Sequence, residues 1–165
     1  DEIQIGHKYS IAQKIVKATK VVYSFEAKRR LRQLLQDYSP DIAHIHNIYH
    51  HLSPSILPVL RQSEVPVVMT AHDLKIACPS NKMLTTDGVC ERCKVGRYYQ
   101  TALNRCIHGS VVASAIIAFE SYLHRWQQSY ENNVDRIIEP SLFFNEKIVE
   151  MGWSREQNKL DPNFV

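Results

Sequence analysis

The sequence predicts an α/β fold, a Rossmann-like parallel sheet with flanking helices that carries a cysteine-rich inserted loop. Short apolar runs of strand length alternate with longer stretches of helical spacing, the order typical of a doubly wound sheet. All four cysteines lie in one mostly irregular stretch, residues 74–110. A length of 165 residues with 44% hydrophobic composition suits a single domain with a sizeable core.

The first predicted element is a helix within residues 10–38, where apolar side chains such as Ile11, Ile15 and Val22 follow helical spacing. Ser39-Pro40 ends it. A solvated helix face explains the basic residues of this stretch, and contact with anionic lipid headgroups or an acidic partner is the alternative. These basic residues are Lys14, Lys17, Lys20, Lys28, Arg29, Arg30 and Arg32.

Three apolar runs of strand length follow, at residues 41–46, 65–70 and 134–138. A helix is predicted between the first two, over residues 51–62. Proline at position 54 suits its first turn, whereas proline at position 58 should bend or interrupt it. Strands that alternate with helices favour parallel pairing.

Two further helices flank the third strand. The helix over residues 142–151 should begin after a Ser141 cap and end at Gly152. The helix over residues 111–130 is amphipathic, and its apolar stripe is expected to pack in the core or at an interface. That stripe contains Ile116, Phe119, Tyr122, Leu123 and Trp126.

Composition and charge exclude several classes of protein. Lys and Arg total 20 against 17 Asp and Glu, and this net charge of +3 falls well short of a nucleic-acid-binding signature. The longest apolar run, residues 111–119, is about half the length of a membrane-spanning helix. The amino end has no signal-peptide pattern and does not begin with methionine, so we expect a piece of a longer protein.

The cysteines predict a metal site. Cys78, Cys90, Cys93 and Cys106 follow the spacing C-x11-C-x2-C-x12-C, and four thiolates suit one tetrahedral zinc ion. Four protein ligands leave no position for water, so the zinc should be structural, and no catalytic metal is expected. Two disulfides, an iron–sulfur cluster and free thiols are the alternatives. Because this spacing suits a metal better than disulfides, and thiols stay reduced in the cytoplasm, a cytoplasmic location is expected.

The cysteine segment is also basic. A four-thiolate zinc site carries a formal charge of −2, which basic residues around it would offset. A surface that binds an acidic ligand would show the same excess of basic residues. Six basic residues, Lys75, Lys82, Arg92, Lys94, Arg97 and Arg105, oppose two acidic residues, Asp87 and Glu91.

Histidine with a polar partner ends two of the predicted strands. His46-Asn47 ends the first strand, and His72-Asp73 ends the second. The carboxyl ends of parallel strands lie along one edge of the sheet, where ligands bind, so both pairs are predicted to face one crevice. A strand-end histidine beside a carboxylate can act on a substrate hydroxyl, or it can bridge backbone groups under the cysteine loop.

Ser141 and the histidines near His44 each have two possible roles. Ser141 is expected to cap its helix, and the amino terminus of that helix would also suit an anionic group. His44 and His46 should share one face of a strand. Together with His50, His51 and His72 they offer enough imidazole for a metal-dependent hydrolase, but no HExxH motif or suitably spaced carboxylate accompanies them.

The strings from Pro40 to Asn47 and from Pro66 to Asp73, followed by Pro140-Ser141 with Phe143, resemble the amino-terminal domain of glycosyltransferase family 4. Members have the GT-B architecture, in which two Rossmann-like domains face a cleft. The first domain mostly holds the acceptor, and the second mostly holds the nucleotide sugar. The resemblance begins near Tyr38, makes residues 1–165 one amino-terminal-like domain, and leaves out the donor-binding carboxyl-terminal domain.

Site residues follow from this resemblance. It implies that His72 is catalytic and lies near the transferred sugar and the acceptor hydroxyl. The cysteine insertion resembles the cysteine-bearing loop of one subgroup. The predicted substrate-binding residues are His46, Asn47, Asp73, Lys75 and Ser141.

The resemblance implies the acceptor-side half of a retaining glycosyltransferase in polysaccharide biosynthesis. It would transfer a sugar from a nucleotide sugar to a glycan or lipid-linked acceptor, in the cytoplasm or at the inner face of the membrane, and would be inactive alone. The alternative is a non-catalytic, zinc-stabilised protein-binding module that uses the basic loop with Tyr98 and Tyr99.

The chain also departs from the family pattern. The family's first strand and the glycine-rich turn that follows it should lie before Asp1. Asp161 replaces an apolar strand residue, and Glu139 stands where a small residue is commoner. A weak or missing final strand is therefore expected.

Overall fold

The computed structural model describes residues 22–49 and 52–162. Short 3-10 turns occur at Pro54–Ile56 and Lys94–Gly96. No helix in these two ranges is long and apolar enough to cross a membrane. The α-helices and strands are α1 (Phe25–Asp37), β1 (Ala43–His46), α2 (Leu57–Gln62), β2 (Val67–Thr70), β3 (Leu84–Thr85), β4 (Gly88–Val89), α3 (Tyr99–Leu103), α4 (Val111–Trp126), β5 (Arg136–Glu139), α5 (Leu142–Glu150) and β6 (Asn158–Leu160).

The predicted parallel sheet is confirmed. Strands β1, β2, β5 and β6 lie side by side in that order, and every pair is parallel. Met69 pairs with Ile45 on one side and with Ile137 on the other, and all three side chains are buried. The described strands follow chain order without reversal, so within these residues the sheet shows one half of a doubly wound pattern.

The main core joins the sheet to its helices and to the start of the inserted loop. Asp135 sets the register at the opposite edge of the sheet from the histidines, because its Oδ2 accepts a hydrogen bond from the Val67 amide at 2.8 Å. The buried apolar side chains include Ile45, Leu57, Leu60, Val67, Met69, Ile76, Ala77, Ile137 and Ile148.

The predicted helix over residues 10–38 is not continuous, and its part before Val22 lies outside the described residues. Ser24 interrupts it with extended backbone and starts α1 by accepting a hydrogen bond from the Ala27 amide at 3.2 Å. The Ser24 amide donates to Ser53 Oγ at 2.9 Å. That contact spans 29 positions, so helical periodicity alone does not reveal the break.

Proline at position 58 interrupts the second predicted helix, as expected. The chain forms the 3-10 turn Pro54–Ile56, and α2 then begins at Leu57 with proline in its first turn. A proline is tolerated there because the first amides of a helix have no partner within it.

The final strand is present, so the expectation that it could be missing is wrong. Strand β6 pairs with β5 at three positions, from Ile137 with Asn158 to Glu139 with Leu160. Asp161 then donates its amide to the Glu139 carbonyl at 3.0 Å. A parallel edge strand needs backbone donors and acceptors on one side only, so polar side chains are compatible with it.

One interpretation of the sequence placed the aromatic stripe of helix α4 in the core. The structure shows that its aromatic side chains are largely exposed. Phe119 is 61% exposed and Trp126 is 81% exposed. The buried face carries Ser114, Ala118, Glu120 and His124 instead. Polar groups fill this face because each finds a partner; for example, Ser114 Oγ accepts from the Ile107 amide at 3.0 Å.

A buried ion pair attaches α4 to the start of the inserted loop. Lys75 Nζ lies 2.9 Å from Glu120 Oε2, and the two side chains are only 6% and 2% exposed. The ammonium also donates to the Pro79 carbonyl at 3.1 Å. Burial raises the pKa of Glu120, and the nearby Lys75 charge opposes that rise. The pair therefore depends on both members being present.

The substitution Lys75→Met tests this dependence. It leaves a buried carboxylate without its counter-charge, so the free energy of unfolding near neutral pH should fall by about 3–5 kcal/mol. Since loss of Lys75 raises the pKa of Glu120 further, ionised Glu120 costs stability as the pH rises, and the difference from wild type should shrink in acid. Urea titrations followed by circular dichroism measure both effects.

Two variants serve as controls for Lys75→Met. The double substitution Lys75→Met, Glu120→Leu should recover most of the lost stability, because no uncompensated charge stays buried. Arg30→Met removes one partner of an exposed ion pair with Glu26 and should cost less than about 1 kcal/mol. Equal losses in Lys75→Met and Arg30→Met would contradict the assignment.

Candidate functional site

Two adjacent strands bring His46 and His72 together at the carboxyl edge of the sheet. His46 ends β1 and pairs in register with Thr70, the last residue of β2. His72 follows two positions later. His46 Nδ1 lies 2.7 Å from His72 Nε2, which is hydrogen-bonding distance, and the two rings stack with centroids 5.0 Å apart. The predicted convergence of the two strand ends is thus present in the structure.

A third imidazole extends this pair along β1. His44 and His46 are both exposed on one face of the strand, while Ile45 between them is buried. The His44 and His46 ring centroids are 4.2 Å apart, and His44 Nε2 lies 2.8 Å from Thr70 Oγ1. Side chains alternate between the faces of a strand, so the spacing of two residues places both histidines on the solvent side.

The hydrogen bond between the two histidines constrains their protons. One ring nitrogen must donate and the other must accept, so the bond requires that at least one imidazole is neutral. Partial burial lowers the pKa of His46 below its ordinary value of 6.5, and the neighbouring His44 and His72 lower it further. His46 therefore favours the neutral form near neutral pH.

The polar partners of these histidines shape the backbone after each strand. Asn47 adopts a left-handed conformation with φ of 44°, which asparagine tolerates better than most residues. Asp73 Oδ1 accepts a hydrogen bond from the Lys75 amide at 2.9 Å and closes a turn after His72. The hydrogen-bonding partner of the His72 ring is His46, whereas the sequence suggested Asp73.

The structure does not bring Lys75 to the exposed histidines. Its ammonium is buried against Glu120 and the Pro79 carbonyl, so it is not available to a ligand at the sheet edge. Local spacing could not reveal this pairing, because Glu120 lies 45 residues further along the chain. The sequence did contain one sign that Glu120 is buried, because this acid lies on the helical face that carries Ile116 and Leu123.

Ser141 caps α5, as predicted, and its Oγ accepts from the Phe144 amide at 3.3 Å. Strand β5, which leads to this cap, is the neighbour of β2. The amino terminus of α5 therefore lies at the same edge of the sheet as the histidines. A role for Ser141 toward an anionic ligand stays a prediction.

Glu139 is a site candidate that sequence reasoning did not select. It ends β5, is fully buried and accepts a hydrogen bond from Asn145 Nδ2. Its Oε1 has no hydrogen-bonding partner among the described residues, and burial raises the pKa of this carboxyl. The sequence did contain one sign of this role, because Glu139 is an acid directly before Pro140-Ser141, where the family more often has a small residue.

The four cysteines surround a second feature, a cavity of about 290 Å³ in the inserted loop. All four are free thiols, so the disulfide alternative is not realised in the structure. The interaction between the Cys78 and Cys93 thiols lowers the pKa of Cys78 and raises the pKa of Cys93. Across residues 22–49 and 52–162, no three His, Cys, Asp or Glu side chains are arranged to hold a metal ion.

That observation gives the metal-dependent hydrolase no support from the described histidines. His46 and His72 are hydrogen-bonded to each other, and His44 is hydrogen-bonded to Thr70. The remaining candidates for that site, His50 and His51, lie outside the described residues.

Comparison with known proteins identifies the family to which the chain belongs. The chain matches the family model described as "Glycosyl transferase 4-like domain" over residues 12–163, which includes both histidine strand ends and the whole cysteine insertion. Searches of curated proteins and of solved structures gave no significant match. The family match agrees with the parallel sheet and with the strand-end motifs, and it shows that the chain belongs to the glycosyl transferase 4-like domain family.

Proposed function

We propose that this chain is the acceptor-side domain of a retaining glycosyltransferase, which transfers a sugar from a nucleotide sugar to a glycan or lipid-linked acceptor. Membership of the family supports a glycosyltransferase-type function with binding of a sugar donor and an acceptor. The observation that carries the finer proposal is the hydrogen bond between His46 and His72 at the carboxyl edge of adjacent strands.

The chemistry of this histidine pair suits a sugar. When both rings are neutral, their shared hydrogen bond leaves two other nitrogens, Nδ1 of His72 and Nε2 of His46. Whichever ring donates the shared proton, one of these two nitrogens is then a donor and the other an acceptor. Sugar hydroxyls both donate and accept, so a pair of hydroxyls on a sugar ring matches this arrangement.

Positioning is the expected contribution of the pair. During transfer, the acceptor oxygen forms a bond to the anomeric carbon and the bond from that carbon to the nucleotide's phosphate oxygen breaks. The acceptor proton leaves with the nucleotide. In this proposal His72 holds the acceptor hydroxyl beside the anomeric carbon, on the face from which the phosphate leaves. His46 fixes the ring of His72, and the α5 amino terminus at Ser141 faces anionic groups.

The domain alone should not transfer sugar. Alignment of donor and acceptor supplies much of the rate, and in the GT-B arrangement the donor is held mainly by the second domain. A lipid-linked acceptor would bring the protein to the inner face of a membrane. The exposed Arg29, Arg30 and Arg32 on α1 support such a contact with anionic lipid.

A second candidate function is a non-catalytic protein-binding module that zinc stabilises. Val95 and Leu103, which are 80% and 71% exposed on the inserted loop, favour it as a contact surface. Partner binding that survives His72→Ala but is lost when the cysteines are replaced would support this function over catalysis.

The substitution His72→Ala tests the leading proposal in the natural full-length protein. Loss of the group that positions the acceptor should lower kcat/KM for sugar transfer by at least about 100-fold. Turnover of the sugar nucleotide with acceptor present measures the change. His72→Asn keeps a polar side chain and should retain part of the activity if hydrogen bonding is the role of His72.

His108→Asn is the matched control for these variants. His108 is also an exposed histidine, and asparagine tolerates its positive φ of 49°. Its activity should stay close to wild type. Wild-type rates in His72→Ala would refute the proposed role of His72.

The protonation of His46 gives a separate prediction. Nitrogen-detected NMR titration should find a pKa below 6.5 for His46, because burial and the charges of His44 and His72 disfavour its protonated form. His44→Gln removes one of these charges and should raise the pKa of His46. A pKa at or above 6.5 in the wild type, or no rise in His44→Gln, would mean that the rings do not interact as described.

A further inference from the structure

The four cysteines lie on four separate pieces of the inserted loop, yet the structure gathers them around one cavity. Cys78 follows the buried first turn of the loop, Cys90 follows β4, Cys93 precedes the second 3-10 turn, and Cys106 follows α3. All four line the same space of about 290 Å³. Such convergence of distant segments is typical of a site with a common ligand.

Apolar packing explains little of this arrangement. Away from the main core, Cys93 and Tyr98 of the loop form a small buried apolar cluster with Ala118 of α4. Leu84 is 66% exposed, and Val95 is 80% exposed. A long insertion with so small a core needs another source of order, and a bound metal or covalent bridges are the usual ones.

Cys78 and Cys93 form the inner part of the cavity lining, because both are buried. Ser80 Oγ lies 3.2 Å from the Cys78 sulfur, and Thr101 Oγ1 lies 3.5 Å from the Cys93 sulfur. Hydroxyls beside metal-binding thiolates hold those sulfurs in orientation, as outer groups commonly do around zinc.

The outer half is open to solvent. Cys106 is exposed and Cys90 is half-buried, and both line the cavity. In the described residues no three donors are yet arranged around an ion, so binding requires that this outer pair moves inward. The exposed Cys106 also gives an ion direct access from solvent.

The lining of the cavity carries a net positive charge. Lys82 and Arg92 line it against a single acid, Asp87. Two other bases of the loop are engaged elsewhere, because Lys75 pairs with Glu120 and Lys94 pairs with Glu150. The positive charge near the sulfurs offsets the formal charge of −2 on a four-thiolate zinc site.

We propose that Cys78, Cys90, Cys93 and Cys106 bind one zinc ion as four thiolate ligands. Soft sulfur ligands select zinc over magnesium and calcium, and four protein ligands make the site structural. Binding draws the outer cysteines onto the Cys78–Cys93 pair and fixes the loop.

The zinc also restrains the loop against the rest of the domain. Glu91, between two of the ligands, accepts a hydrogen bond from Lys147 on α5. At the other end of the site, Cys78 follows the turn that Asp73 closes after His72. The ion thus links α5 to the strand end that carries His72.

The test measures metal directly in the natural full-length protein, purified without chelator. Elemental analysis should find one zinc per chain and no iron. Replacement by Co²⁺ should give a thiolate-to-cobalt charge-transfer band in the near ultraviolet, with the visible absorption typical of tetrahedral cobalt. A chelator should lower the thermal unfolding midpoint of the zinc form.

Cys106→Ser is the most informative variant, because Cys106 is exposed and its replacement should leave the fold intact. It should weaken zinc binding by at least about tenfold in competition with a chromogenic chelator and reduce the charge-transfer band of the cobalt form. Circular dichroism checks that the variant is folded. The combined variant His44→Gln, His46→Gln should bind zinc as tightly as wild type.

Several results would overturn the proposal. They are a protein without zinc whose four thiols react freely, disulfides found by mass spectrometry, or iron in place of zinc. Zinc that survives replacement of all four cysteines, or that is lost in the histidine variant, would place the metal elsewhere.

Discussion

The parallel pairing of β1 with β2 is the constraint on which the site depends. Backbone hydrogen bonds set Ile45 beside Met69 and His46 beside Thr70. A shift of one residue would turn every side chain of β1 to the opposite face, and His46 would move from solvent into the core. Burial of Ile45 and Met69 makes that shift costly, so ordinary apolar packing fixes the geometry of an exposed polar pair.

Much of the fold follows from local patterns in the sequence. Apolar runs of strand length locate β1, β2 and β5, and Ser141 with Gly152 marks both ends of α5. The meeting of the strand-end histidines also follows, because parallel strands end at one edge of a sheet. These predictions succeed since each depends on neighbours in sequence or on a general property of sheets.

The features that sequence reasoning missed depend on distant partners. The inward face of α4 is polar because Glu120 meets Lys75 from the inserted loop, and periodicity favoured the face of Phe119 and Trp126 instead. Likewise, the interruption before α1 depends on the contact between Ser24 and Ser53. Helical spacing measures how apolar a face is, and it does not reveal whether a buried polar group has found a partner.

The inserted loop is connected directly to the sheet edge that carries His46 and His72. The turn after His72 leads directly to Lys75, whose buried pairing with Glu120 attaches this turn to α4. Buried ion pairs add little net stability, but they penalise alternative arrangements that separate the two charges. Here the penalty would resist rotation of the loop about its first turn, and so resist displacement of His72.

The buried serine contacts before α2 have a further consequence for β1. The Ser24 amide bonds to Ser53, Ser55 Oγ lies 2.7 Å from Ser53 Oγ, and Ser55 Oγ returns a hydrogen bond to the Ser24 carbonyl at 3.0 Å. These bonds close a ring of chain that contains both α1 and β1. A shift of β1 along β2 must therefore be absorbed within this ring or break one of these contacts. A noncovalent cross-link made of three serines thereby gives the exposed histidines a topological restraint that their own contacts do not supply.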